Sequence, residues 1–262
     1  NVIMPFLYES RQHKRSSRES LDCALALQEL THMGVDNIIT FDAHDPRVQN
    51  AIPLSGFETV RPTSQFVKGL LDRYVDLIID SNHMMAVSPD EGATERAVYL
   101  ANVLNLDMGM FYKRRDYTRV VNGRNPIVAH EFLGSSVEGK DVIILDDMIS
   151  SGDSILDVAK QLKSRNAKRI FAAATFGLFT NGLDKFDEAY ESGLIDGVLT
   201  TNLIYQTLEL LSRPYYINCD MSKYVALMID TLNHDGSISD ILDPSERIQV
   251  CVEEYKKAHG QL

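Results

Sequence analysis

Short apolar runs alternate with amphipathic stretches from one end of the chain to the other, and that alternation restricts the fold more than any other feature. Strands of a parallel sheet are covered on both faces and so read as unbroken apolar runs, and the helical stretches between them are the crossovers that parallel pairing requires. An α/β fold with parallel-sheet cores follows. The first helix starts near Ser20, carries Leu21, Ala24, Leu25 and Leu30, and ends before Gly34, a carboxyl cap. A strand over 37–41 then runs into Asp42-Ala43-His44-Asp45. A second unit begins at about Asp76 with Leu77-Ile78-Ile79, continues to Ala86-Val87-Ser88-Pro89-Asp90, and enters a helix bearing Ala97, Leu100, Ala101 and Leu104. Strands are expected over 109–112 and 142–145, and the clearest helix places Ile155, Val158, Ala159 and Leu162 on one face. Further strands fall near 170–175, 197–201 and 215–218, followed by a helix with Met221, Val225, Met228 and Leu232 and a charged helical tail after Asp243-Pro244. Pro53, Gly56 and Pro62 interrupt the pattern and mark a boundary near 53–65.

Charge narrows the partners. Lys and Arg total 26 against 37 Asp and Glu, a formal charge of −11, which argues against nucleic acid as a partner because phosphates must be met by surplus cations. A small anionic substrate stays open through a local basic patch. No apolar run reaches the roughly 18 residues of a membrane helix, so no membrane partner is expected. Cys23, Cys219 and Cys251 are few, odd in number and far apart, which suits a reducing cytoplasm better than a disulfide scaffold and gives no zinc-finger spacing. A cytoplasmic enzyme is the expectation. Residues 1–5 lack an initiator Met and read as a buried strand, so further residues are expected upstream.

The strongest local signal is Val142-Ile143-Ile144-Leu145-Asp146-Asp147-Met148-Ile149-Ser150-Ser151-Gly152-Asp153-Ser154, an apolar strand entering two acids, a hydroxyl-rich turn and a helix. Backbone amides at the helix's positive end, with Ser151 and Ser154 as added donors, would cradle a phosphate, and Gly152 would admit its close approach. Asp146 and Asp147, at the strand's carboxyl end, are placed to meet sugar hydroxyls, since an open α/β sheet binds its ligand at that edge.

This segment resembles the ribose-5-phosphate loop shared by phosphoribosyltransferases and ribose-phosphate pyrophosphokinases. Four further segments favour the latter: Arg11-Gln12 followed by Lys14-Arg15, then Thr40-Phe41-Asp42-Ala43-His44, then 87–92 with Arg96-Ala97, then Lys113-Arg114-Arg115. Together, over about residues 1–242, they look like the ribose-phosphate pyrophosphokinase family. The resemblance implies tandem phosphoribosyltransferase-like domains, the first incomplete over 1–58 and the second over 59–219. A helix over 220–242 would return to the first, and a helical tail would fill 243–262. It implies transfer of a pyrophosphoryl group from Mg-ATP to the 1-hydroxyl of ribose 5-phosphate, giving phosphoribosyl pyrophosphate and AMP. By the same resemblance Arg11 and Gln12 meet ATP, His44 and Asp90 position Mg²⁺, and Lys113 and Arg115 are the cationic pair of a mobile catalytic loop. Asp146, Asp147, Ser150, Ser151, Gly152, Asp153 and Ser154 hold the sugar phosphate. Residues 116–139, containing Asn122-Gly123, read as a flap with a hairpin. Family members assemble as dimers built into hexamers and respond to phosphate or ADP, and Ser16, Ser17 and Arg18 lie where such an effector would sit. Ser150 stands where these enzymes usually carry an acid, His13 replaces an Asp, and Ala93 replaces a Gly. The alternatives are a non-catalytic regulatory homologue and a phosphoribosyltransferase that consumes the product.

Overall fold

The computed structural model describes residues 1–115 and 127–261, without the side chains of 113–115 and 127–130; Asn122 and Gly123 lie outside the described residues. The chain opens with β1 (Val2–Met4), α1 (Asp22–His32), β2 (Asn37–Phe41), a 3-10 turn over Pro46–Ala51 and β3 (Gly56–Val60), and these strands form a parallel sheet in the order β1-β2-β3. Alternation along β2 sends Ile38 into a core with Cys23, Leu27 and Val48, and Ile39 and Phe41 into another beneath the opposite face. Gly34 ends α1 as expected. Its φ of +90° lets its own N–H reach the Thr31 carbonyl and the Val35 N–H reach the Leu30 carbonyl. The buried face of α1 differs from expectation: Cys23, Ala24 and Leu27 face inward, and Leu25 is 53% exposed.

There follow α2 (Thr63–Arg73), β4 (Met84–Ser88), α3 (Thr94–Leu104), β5 (Asp107–Arg115), β6 (Ile127–Leu133), β7 (Asp141–Ile149), α4 (Asp153–Lys163), β8 (Ile170–Gly177), α5 (Asp184–Glu191), β9 (Gly197–Thr201), the single turn α6 (Leu208–Leu211) and β10 (Tyr216–Cys219). Among the described residues these strands form one sheet in the order β10-β9-β8-β7-β4-β5-β6, parallel except for the β5-β6 pair. The chain leaves β4 toward β5 and leaves β7 toward β8, so the direction of winding reverses between β4 and β7, where such sheets open a crevice.

Leu77-Ile78-Ile79 is not a strand. Leu77 and Ile79 are buried, but the Leu77 backbone bonds to the Tyr255 hydroxyl and the Gln261 amide instead of a neighbouring strand. Helix α2 begins at the end of the interrupted region, with Pro62 just ahead of it, where a missing N–H costs nothing, and Phe66, Val67, Leu70 and Leu71 share one buried face.

The remaining elements are α7 (Ser222–Asn233), α8 (Ser239–Leu242) and α9 (Ser245–Ala258). Met221, Met228 and Ile241 pack with Ile39, Phe41 and Val60 of the small sheet and with Met148 and Phe176 of the large one, a shared core that joins the two sheets. Ile248, Val252 and Tyr255 of α9 pack with α2 and α3. No helix among the described residues is long and apolar enough to cross a membrane.

Candidate active site

The reversal between β4 and β7 brings the carboxyl ends of both strands to one edge, and β2 of the small sheet points its own carboxyl end at the same place. The result is a cleft of about 150 Å³ whose lining includes Arg11, His44, Asp90, Arg96, Asp146, Asp147 and the turn Ser150, Ser151, Gly152 and Ser154. A second cavity of about 560 Å³ adjoins it, sharing His44, Gly92 and Arg96 and adding His13, Lys14, Asp45, Arg47 and Arg61.

Asp147 is 2% exposed and one of its oxygens, Oδ2, lies 2.8 Å from His44 Nδ1. Burial alone would raise its pKa, but the His44 hydrogen bond and the nearby Arg96 charge outweigh burial and lower it. Its neighbour Asp146 goes the other way. Burial first, then repulsion from Asp147, raises Asp146 well above the ordinary carboxylate range, while Asp146 Oδ1 accepts the Asp147 N–H at 2.9 Å. Two acids that look alike in sequence are thus split, Asp146 shifted up and Asp147 shifted down.

Beneath them lies a buried ion pair. Arg96 Nε donates to Asp42 Oδ1 at 2.8 Å and Arg96 Nη2 to the Ala43 carbonyl at 3.0 Å, while Thr175 Oγ1 donates to Asp42 Oδ2 at 2.5 Å. The three residues come from α3, the end of β2 and β8, so one network fixes the small sheet against the large one. Asp90 caps the turn into α3, its Oδ1 accepting the Gly92 and Ala93 amides at 2.9 and 3.3 Å.

The turn after β7 carries Gly152 at φ +83°. A Cβ there would stand 2.4 Å from Cε2 of the buried Phe186 ring. Gly152 also lines the cleft, so glycine there meets a packing demand as well as the one expected from sequence. The missing side chain makes room for Phe186, and the free side of the loop is left to the Ser151 and Ser154 hydroxyls and the first-turn amides of α4. Ser150 Oγ lies 3.5 Å from Thr180 Oγ1. Asp153 turns away from the cleft. Its carboxylate pairs with Lys185 at 2.5 Å and borders a separate cavity between α4 and α5. Gln12 is likewise occupied, donating to the Ser20 carbonyl at 3.0 Å.

Lys113 and Arg115 belong to β5, opposite His130 and Ile127, and their side chains lie outside the described residues. Arg96 and Thr175 had no place among the residues expected at the site. Arg96 accompanies the 87–92 segment that carries the resemblance but is given no role by it, and Thr175 is hidden in the apolar run of β8. Among the described residues no three His, Cys, Asp or Glu side chains converge as a metal cage. His44 and Asp90 nonetheless border the same cleft, and the hydrogen bonds described use only Nδ1 of one and Oδ1 of the other. Such an open oxygen and nitrogen donor set suits a Mg²⁺ ion that arrives with substrate phosphates and keeps part of its water shell.

Residues 61–197 match the family model for the phosphoribosyl transferase domain. The chain is 31% identical over 209 residues to the ribose-phosphate pyrophosphokinase of Mycoplasma genitalium, covering 78% of this chain and 58% of that protein. It is 30% identical over 241 residues to the ribose-phosphate pyrophosphokinase of Pasteurella multocida, covering 91% and 71%. The chain thus spans between 58% and 71% of the length of these relatives. The crystal structure of phosphoribosylpyrophosphate synthetase from Mycobacterium smegmatis superimposes with a TM-score of 0.74 at 24% identity, covering 89% of this chain and 71% of that one, and bears out the fold.

Proposed function

Because the chain belongs to the ribose-phosphate pyrophosphokinase family, we propose that it transfers the pyrophosphoryl group of ATP to ribose 5-phosphate, giving phosphoribosyl pyrophosphate and AMP. The observation that carries this reading is the single cleft in which Arg11, His44, Asp90, Asp146 and the Ser150–Gly152 turn meet although they come from four separate segments. The sugar phosphate sits on Ser150, Ser151, Gly152 and Ser154 at the positive end of α4. Asp146 meets the ribose hydroxyls. ATP enters through the larger adjoining cavity, with Arg11 as a bidentate partner for its phosphates.

The 1-hydroxyl oxygen of the sugar forms a bond to the β-phosphorus as the bond from that phosphorus to the bridging oxygen of AMP breaks, and the hydroxyl proton is lost. Catalysis of this kind is mainly positioning and charge stabilisation. By family resemblance Lys113 and Arg115 supply cations to the migrating group. His44 and Asp90 would hold Mg²⁺, which when bound neutralises phosphate charge. Gln12 and Asp153 act at one remove here: Gln12 closes the loop behind Arg11, and Asp153 tethers the start of α4 to Lys185.

The same reading brings with it a homo-oligomer of dimers built into hexamers, a phosphate or ADP effector near Ser16, Ser17 and Arg18, and a cytoplasmic setting in which Cys23, Cys219 and Cys251 stay unbridged. It also divides the chain into units over 1–58, 59–219, 220–242 and 243–262. The test is AMP release by the full-length protein given ATP, Mg²⁺ and ribose 5-phosphate. Turnover that needs all three supports the reading. Ribose 5-phosphate binding without AMP release favours a non-catalytic homologue, and pyrophosphate release with a nucleobase favours a phosphoribosyltransferase.

A further inference from the structure

We infer that Asp153 restrains anion binding at the sugar-phosphate turn and that Lys185 moderates the restraint, so that this pair sets the turn's affinity without touching the ligand. The inference rests on the reading of the turn given above. Ser151 is one of the hydroxyls that line the cleft, yet its Oγ donates to Asp153 Oδ2 at 3.0 Å and accepts the Asp153 N–H at 3.4 Å. Two donors of the cradle, one hydroxyl and one first-turn amide, are thus already engaged with each other's residues. A phosphate that takes the Ser151 hydroxyl must displace a carboxylate from it, and that carboxylate remains nearby as a like charge. It also stands in the first turn of α4, where a fixed negative charge already answers the positive end of the helix. The hydrogen bond from Lys185 holds the Asp153 carboxyl below its ordinary range, so the charge is present at neutral pH. Lys185, on α5, donates to the other oxygen, Oδ1, at 2.5 Å and offsets part of that charge. Neither residue is among the described residues that line the cleft; both border the groove between α4 and α5, where Asp157 and Lys160 pair with each other at 3.2 Å. The pair therefore acts on the ligand through Ser151 and through space. With side chains 55% and 52% exposed, the bridge adds little to the stability of the fold, and its place beside Ser151 is the property with a consequence.

Calorimetry with ribose 5-phosphate on the full chain compares the parent, D153N, K185M and the double variant, with D153S in place of D153N should the amide variant fold poorly. D153N removes the charge and should tighten the Kd about two- to fivefold, the span expected of one exposed charge pair. K185M leaves the carboxylate unopposed and should weaken the Kd by a similar factor. In the D153N background the same K185M change should move the Kd by less than about 1.5-fold, because no carboxylate is left to offset. These differences should shrink between about 0.01 M and about 1 M salt, over which the screening length falls from about 30 Å to about 3 Å. A merely structural role would not follow that dependence. An unchanged or weaker Kd in D153N would overturn the inference, as would an equal loss from K185M in both backgrounds, which would make Lys185 a direct phosphate partner. Absence of ribose 5-phosphate binding in the parent and every variant would overturn it together with the reading of the turn. Binding without AMP release strikes the catalytic reading alone, and this inference then stands or falls on the Kd values.

Discussion

A methyl group placed on Gly152 creates two conflicts at once. The residue sits at φ +83°, a conformation that costs an alanine about 1 kcal/mol or more. The new Cβ would also stand 2.4 and 2.5 Å from two atoms of the Phe186 ring, which is fully buried and packs edge-on against Phe179 at 5.2 Å between centroids. Relieving that overlap means shifting a core ring or the start of α4, at about 1–3 kcal/mol. Reduced freedom of the unfolded chain returns about 0.4–1 kcal/mol. The balance is a loss of about 1–3.5 kcal/mol for Gly152→Ala, or roughly 2–14 °C in Tm for a chain of this size. Calorimetric and circular-dichroism melts measure it, and ribose 5-phosphate affinity should fall with it because the turn itself is displaced. A double-mutant cycle locates the cause: Phe186→Leu in the Gly152→Ala background should recover the overlap part and leave the backbone part. A Gly152→Ala protein that melts with the parent would refute the claim that Phe186 and the left-handed backbone together dictate glycine there. Equal losses with and without Phe186→Leu would remove the ring from the explanation.

Arg96→Met leaves the buried Asp42 carboxylate facing only Thr175, and urea unfolding should show a loss of about 3–5 kcal/mol. Asp45 is held down to about 2 from 3.8, chiefly by its hydrogen bond to Arg47. A carboxylate depressed on folding contributes stability above its unfolded pKa and loses it as pH falls through the folded value, so this contribution is present above about pH 4 and fades toward pH 2. Asp45→Asn should flatten the urea midpoint across that window, and an unchanged slope would dismiss the assignment. Tyr255→Phe strips the hydroxyl that bonds to the Leu77 N–H at 2.9 Å and to the Leu77 carbonyl at 3.1 Å. A stability loss of about 1–3 kcal/mol is expected, together with faster hydrogen exchange at the Leu77 amide.

Periodicity made much of the architecture legible. The strands at 37–41 and 197–201 and the buried faces of α3 and α4 follow directly from runs and spacings, because each reports burial along one element and needs no knowledge of its neighbours. The misreadings share one cause. Leu77 and Ile79 are as apolar and buried as any strand residue, yet the Leu77 backbone bonds to a hydroxyl on a helix nearly 180 positions later. Pro62 reads as a break when it is a helix start. Leu25 looks like a core residue within α1, but the sheet covers the adjacent face.

For the site, local pattern identified the acids, the hydroxyl turn and the histidine, since a strand ending in polar residues ahead of a helix is visible from sequence. Their division of labour was not. Asp146 and Asp147 are the same residue type side by side, and only the approach of His44 and Arg96 to one of them separates a raised pKa from a lowered one. Likewise Gly152 announces a special backbone position, but the ring that requires it comes from α5, more than thirty residues on. Sequence alone determined which elements form and which chemistry-bearing residues stand at their ends, because those properties are set within a few turns of chain. Tertiary structure decided which of those residues touch and which way their acidities shift, because contact distance and burial depend on segments that periodicity cannot relate.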